Sequence, residues 1–359
     1  MKICLIGQNL TNLVLASVLA KKKIDVVIYI DKSSINQTGR TIAISSDNYN
    51  YLKQYTNNKL SGWHSNEIKI YIDSSQSKEI INFKQPNKKN FYLISYNEIY
   101  KILLNLSKKS KYIKFIEIKK PHHKLVEKIK NYGLVVNSEN KNIITRKYFF
   151  NKIHKNYKSH AYTFLINHER IKNDIATQIF TKNGPLAFLP ISNKQTSIVY
   201  SYLGPIKSES QILKSFNYYN SFYKVNNIGS IEKFTLNFSM LRKYTHGNIL
   251  AFGDLIHRVH PIAGQGFNMT IRDIKVLSKI IDNKIGLGLP IDSSIADEFQ
   301  RVTKHFNFLY GKAIDGIYEF FMFDNKIKNS FSKPIFKILN SSPFFKKYSN
   351  LFSDRGFNI

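Results

Sequence analysis

One cysteine in 359 residues, Cys4, leaves no partner for an intramolecular disulfide and no multi-cysteine metal site. No run of 18 apolar residues occurs, so no membrane-spanning helix is expected. Acidic residues are scarce: 24 Asp and Glu stand against 54 Lys and Arg, a formal net charge of +30. Such a surface attracts nucleic acid or anionic lipid. Most of the excess is lysine, beside very many Asn and Ile residues, which is also the composition an AT-rich genome produces. Neither an arginine-rich patch nor an RNA-binding motif accompanies the charge, so no nucleic acid partner is expected. Internal repeats and Gly/Ser linkers are missing too. The first 23 residues have a signal-peptide outline, but Gln8, Asn9, Thr11 and Asn12 interrupt its apolar part. A strand followed by a helix is the preferred reading.

What is present is a core-forming chain, 43% hydrophobic and long enough for two or three packed units. Residues 2–7, Lys-Ile-Cys-Leu-Ile-Gly, read as a strand ending in glycine. Apolar residues then recur at helical spacing from Leu10 to Leu19, and 24–30 read as a second strand ending at Asp31. This βαβ opening, with Asp31 24 residues after Gly7, matches a dinucleotide-binding unit in which the acid meets the adenosine ribose. The glycine fingerprint is incomplete: Gly7 is followed by Asn9 and Asn12 where two further glycines belong. Asn9 tolerates a left-handed backbone, whereas Asn12 is expected to push helix and strand apart. Residues 123–150 read as a strand meander with turns near Asn131 and Asn140. From 160 to 204 strand-like runs alternate with turns, broken at Gly184-Pro185, which suggests an antiparallel sheet inserted into an α/β unit.

The most informative stretch is 253–273. An apolar run through Phe252 leads into Gly253-Asp254, and Pro261 and Gly264-Gln265-Gly266 precede a helical pattern from Phe267 to Ile281. A strand-end carboxylate accepts hydrogen bonds from sugar hydroxyls. A glycine-bordered helix N-terminus offers N–H groups and a positive dipole end to an anion. His257 and His260 read as packing residues rather than as a metal or acid/base pair, because no carboxylate trio accompanies them.

These motifs resemble those of the FAD-dependent aromatic hydroxylases, and within them the ubiquinone-biosynthesis hydroxylases. Gly253-Asp254-Leu255-Ile256-His257 with His260 through Asn268 resembles that family's second flavin-binding motif. Gly39-Arg40-Thr41-Ile42-Ala43-Ile44-Ser45 resembles the segment that places an arginine near the flavin. Ala176 through Phe180 with Gly184 through Pro190 resembles the strand pair lining the substrate pocket, and Phe321–Asn325 through Arg355-Gly356-Phe357 resembles the C-terminal helices. The resemblance implies an α/β fold: a Rossmann-like FAD-binding domain (1–65, 95–155 and 241–290), an inserted antiparallel substrate sheet (66–94 and 156–240) and a C-terminal helical region (291–359). It implies cofactor contacts by Gly7, Asn9, Asp31, Arg40, Asp254, Pro261, Gly264, Gln265, Gly266, Phe267 and Asn268, with Phe188 and Pro190 in the pocket wall. It also calls for an Asp-Gly turn after the meander. None occurs between Tyr148 and Ala161, which puts direct reduction by NAD(P)H in doubt and leaves a separate electron-transfer protein as the other reductant.

Two function classes follow from the resemblance. One is an FAD monooxygenase that hydroxylates a polyprenylated phenol on the way to ubiquinone, with the chemistry on the cofactor. The other is a flavin-poor or flavin-free relative serving as a lipid-binding or scaffold subunit beside other ubiquinone-biosynthesis proteins. A cytoplasmic chain, peripheral on the inner face of the membrane, suits both. The basic and aromatic residues of 326–349, broken by Pro334 and Pro343, suit an anionic membrane surface.

Overall fold

A computed structural model of the chain describes residues 2–31, 39–72, 81–84, 91–118 and 123–326. The expected membrane-binding tail, beyond residue 326, lies outside them. The first half runs β1 (Lys2–Ile6), α1 (Leu10–Lys21), β2 (Asp25–Ile30), β3 (Thr41–Ser45), α2 (Ser46–Lys53), β4 (Trp63–Ser65), β5 (Glu67–Ile72) and β6 (Ile81–Lys84). Then come β7 (Phe91–Ser95), α3 (Tyr96–Lys109), β8 (Ile113–Glu117), α4 (His123–Ile129), β9 (Leu134–Asn137) and α5 (Ile143–Tyr148). The second half continues with β10 (Lys152–His168), β11 (Ile175–Thr181), β12 (Gly184–Ser192), β13 (Gln195–Leu203), α6 (Glu209–Tyr219), β14 (Val225–Ile228) and β15 (Glu232–Leu241). It ends with β16 (Thr245–His246), β17 (Ile249–Ala251), β18 (His257–Arg258), α7 (Gln265–Gly286) and α8 (Ser293–Lys326).

Two large sheets frame the molecule. The first has the order β16-β17-β9-β1-β2-β8 and is parallel except at the β16–β17 pair. Its central strands are continuous apolar runs, as expected where helices cover both faces. From Ile3 to Leu5 and from Leu134 to Val136 every side chain is fully buried. α1 is apolar almost all round for the same reason: it packs between this sheet, α3 and α7. The second sheet has the order β18-β15-β10-β13-β12-β11-β5-β6, with β14 added beside β10. It is antiparallel except where β5 runs parallel to β11. α6 covers one face through Ile212 and Phe216, which pack with Phe164, Phe188 and Ile198. A small third sheet, β3-β7-β4, lies beside α2.

Two expectations are corrected. Residues 123–150 are not a strand meander but α4, β9 and α5, and the single strand joins the parallel sheet beside β1. The helices are short, and α5 is started by the Asn142 side chain, which accepts from Thr145 N–H at 2.8 Å. Nor does Asn12 push α1 away from β1. It is fully buried, and its Nδ2 donates to the carbonyls of Ile6 (2.9 Å) and Gly7 (2.8 Å), tying the helix to the strand end. The amide thus replaces close packing with hydrogen bonds, although its Oδ1 is left without a partner.

Candidate active site

The carboxyl ends of β1, β2 and β9 point towards the cavity-facing side of the second sheet. Between them lies a cavity of about 1870 Å³. Gly7, Asn9, Asp31, Arg40, Ser138 and Glu139 line one end, Asp254, Pro261, Gly264, Gly266 and Phe267 the middle, and β10–β13 with α8 the far wall.

The middle is built by glycines in conformations that side chains resist. β17 ends at Ala251, and Gly253 turns the chain at φ +62°; a Cβ there would meet Thr11 Cγ2 at 2.9 Å. The turn sets Asp254 exposed at the cavity. Gly264, at φ +64°, caps α7, and a Cβ there would come 2.8 Å from Ala43 Cβ. At Gly266 a Cβ would meet nothing within 4 Å. The N-terminus of a 22-residue helix therefore opens onto the cavity next to a carboxylate acceptor.

Asn268 makes this geometry rigid. It is fully buried and does not line the cavity. Its Nδ2 donates to the carbonyls of Ala43 (3.0 Å) and Gly264 (3.2 Å), and its Oδ1 accepts from Ser45 N–H and Asn48 Nδ2, both at 3.0 Å. Gln265 is likewise buried away from the cavity, accepting from the Tyr310 hydroxyl at 2.7 Å. Both were expected to touch the cofactor; instead they hold the loop that does the lining. His257 and His260 are both buried. His257 Nε2 meets Asp273 at 2.7 Å, and Asn307 donates to the other Asp273 oxygen at 3.0 Å, joining β18, α7 and α8. His257 also lines the cavity. His260 stacks on Tyr318 at 4.1 Å, and burial pushes its pKa down to about 3, so it is neutral. No group of three or more potential metal-ligating side chains occurs among the described residues.

At the first end Gly7 has φ +107° and donates to the Tyr29 carbonyl at 2.9 Å. The space where its Cβ would stand is filled by the Glu139 side chain. Asn9 caps α1 by accepting from Asn12 N–H at 3.1 Å. Its Nδ2 donates to Ser138 Oγ (2.8 Å) and Glu139 Oε1 (3.0 Å). The Glu139 backbone is held in turn by Thr145, whose hydroxyl donates to its carbonyl at 2.5 Å. Burial, with Asp31 nearby, raises the Glu139 pKa, opposed by the Asn9 hydrogen bond. Neither Glu139 nor Ser138 belongs to a motif legible in the sequence, which points to the stretch after Tyr148 for an acid-bearing turn. The signal available was an acid two residues past a buried strand, where open α/β sheets hold ligands.

Arg40 is exposed beside the cavity, with its guanidinium 4.7 Å from the Tyr96 ring centroid. Burial raises the Tyr96 pKa, with Arg40 pulling it down and Asp254 pushing it up, so both charges are felt at that ring.

On the far wall the expected pocket residues are corrected. Strand side chains alternate between faces. Along β12, Ala187 and Leu189 line the cavity, whereas Phe188 is fully buried against Phe216 on the α6 side, and Pro190 is buried off the cavity. The wall is mostly apolar, with Ile68, Ile70, Ala176, Phe180 and Val199 beside Thr163, Thr177 and Gln178, and Phe321 of α8 stacks on Phe180 at 3.4 Å.

The two halves of this site suit a flavin dinucleotide unequally. The open space at Gly266, the exposed Asp254 acceptor and the free end of α7 fit a ring and its polyol chain. The end of α1 fits a pyrophosphate only after the Glu139 carboxylate leaves Gly7, because like charges repel across so short a gap.

Comparisons with known proteins agree with this geometry. A profile described as an FAD binding domain matches residues 219–285. Ubiquinone biosynthesis monooxygenase COQ6 of Dictyostelium discoideum is 30% identical over 183 residues, 40% of this chain and 37% of that protein. Ubiquinone hydroxylase UbiL of Rhodospirillum rubrum is 24% identical over 177 residues, 47% of this chain and 41% of that one. The chain thus spans less than half the length of these relatives. Among solved structures, p-nitrophenol 4-monooxygenase PnpA of Pseudomonas putida superposes with a TM-score of 0.79 at 9% identity, over 99% of this chain and 98% of that one. PqsL of Pseudomonas aeruginosa, described as a probable FAD-dependent monooxygenase, gives 0.69 at 14% identity over 94% and 99%. The fold is the one these FAD-dependent monooxygenases share, and over less than half of its length the chain is similar in sequence to ubiquinone-biosynthesis hydroxylases.

Proposed function

We propose that the chain is an FAD-dependent monooxygenase that hydroxylates the aromatic ring of a polyprenylated phenol in ubiquinone biosynthesis. One observation carries the reading. A single cavity joins a glycine-built helix N-terminus and the Asp254 carboxylate to an apolar wall deep enough for an alkylated ring. When bound, the flavin supplies O₂ activation and oxygen transfer. The chain's part is positional. Asp254 accepts from the polyol hydroxyls, and the α7 N–H groups and Arg40 offer positive charge. Ala176, Ala187, Leu189 and Phe180 exclude water and hold the ring by shape. Ile317 of α8 lines the cavity and is exposed, so an alkyl tail leaving the ring would pass along it. Either NAD(P)H or a separate electron-transfer protein serves as reductant.

Glu139 against Gly7 favours the second reading, a flavin-poor relative that binds lipid or scaffolds other ubiquinone-biosynthesis proteins. Purified full-length chain separates the two. The enzyme reading expects about one FAD per chain on reconstitution and incorporation of ¹⁸O from ¹⁸O₂ into a prenylated phenol. A colourless protein that takes up no FAD contradicts it.

A further inference from the structure

Among the polar side chains of the far wall, Gln178 has a buried amide nitrogen with no hydrogen-bond partner. Gln178 sits in mid-β11, and strand alternation puts it on the cavity face with Ala176 and Phe180, while Ile179 packs on the opposite face among the residues under α6. Its direct neighbours across the sheet are Ala187 on β12 and Ile70 on β5, both lining the cavity. It is therefore flanked on all four sides by apolar groups. Its Nε2 is buried and makes no hydrogen bond. An amide left so costs stability, because its water is lost and nothing replaces it. A wall needed only for apolar packing would place Leu or Met there. Part of the side chain lines the cavity, and turning the amide about its last bond brings the unmet Nε2 from its shielded position to the ligand side.

We propose that Gln178 recognises an oxygen substituent on the aromatic ring of the substrate, its amide donating to and accepting from a single ring hydroxyl. This rests on the aromatic-hydroxylase reading above. It deepens that reading by assigning selection of the ring oxygen to one residue of β11 and selection of the alkyl tail to the apolar wall. One hydroxyl meets both halves of an amide, since it is donor and acceptor at once. A site built in this way discriminates strongly against the ring that lacks the hydroxyl, because the amide is then buried unpaired again. The carboxamide carries no charge, so the same residue accommodates a phenol without forcing it to ionise.

The test is equilibrium dialysis of 4-butylphenol and of butylbenzene against FAD-supplemented full-length chain, in the natural sequence and as Gln178→Met, with Gln178→Leu as a second apolar variant. Both variants are expected to keep or slightly raise the melting temperature, since a buried unpaired amide has been removed. The preference for 4-butylphenol over butylbenzene is expected to fall about tenfold in both. An unchanged preference ratio in folded variants overturns the role of Gln178 and leaves the hydroxylase reading standing. Failure of the natural chain to bind either ring contradicts the aromatic-substrate reading itself, and this inference with it.

Discussion

The two ends of the cavity are built on opposite plans. Around Asp254 and Gly264 the ligand side is bare backbone, and the side chains that stabilise it, Asn268 and Gln265, stand behind it. Around Gly7 the side chains stand in front: Asn9, Ser138 and Glu139 bond to one another across the end of α1. Both ends present a helix N-terminus, yet only the first leaves it open. A helix dipole attracts an anion wherever the space is free, so what separates the ends is whether the chain has put its own carboxylate there. Flavin affinity should come mainly from the Asp254 end.

Attacking the clamp should do most damage. Asn268→Ala removes four hydrogen bonds and leaves buried backbone groups of β3 and the Gly264 turn unmet, costing about 3 kcal/mol in urea or thermal unfolding. An effect under about 1 kcal/mol would mean that the turn holds itself.

Acid should act oppositely at the two ends. His260 is held neutral behind the Asp254 end, with its pKa lowered to about 3 from an ordinary 6.5. Only the unfolded chain takes up that proton between these values, so stability is full above about pH 6.5 and falls as pH drops towards 3. By pH 5 the loss is about 2 kcal/mol. His260→Leu should flatten this part of the melting-temperature profile. Glu139 has the reverse sign: its raised pKa makes its ionisation unfavourable in the fold, a cost that sets in as pH rises through the carboxylate range.

Gly264→Ala should cost about 1–2 kcal/mol, from the left-handed backbone and the 2.8 Å approach to Ala43. It should lower FAD uptake with it. The smallest effect is expected at the other end. Glu139→Gln keeps the shape and removes the charge, and should tighten FAD binding about fivefold while leaving riboflavin, which lacks the pyrophosphate, unchanged.

Much of this was legible in the residues. The β1-α1-β2 opening and the 253–268 block announce themselves because backbone geometry demands glycine and a strand-end acid at set spacings. What stayed hidden was direction. Period-two alternation groups Ala187 with Leu189 and Phe188 with Pro190, but both faces of that strand are covered, one by α6 and one by the cavity wall and α8, so pattern alone does not say which face meets ligand. Gln265 sits between lining residues in sequence and Asn268 directly follows one, yet both side chains are turned away from the cavity. The two short helices flanking β9 read as strands because their Ile- and Val-containing runs are too brief to show a helical period, and with them went the turn that carries Glu139.

The ratio of riboflavin to FAD dissociation constants for the natural chain, taken by fluorescence titration near pH 7.5, tests the unequal ends most directly. If the Asp254 end carries the binding and Glu139 holds the other, FAD should bind no more than about tenfold tighter than riboflavin. A preference for FAD of a thousandfold or more would show the α1 end fully engaged with the dinucleotide, and would contradict the account.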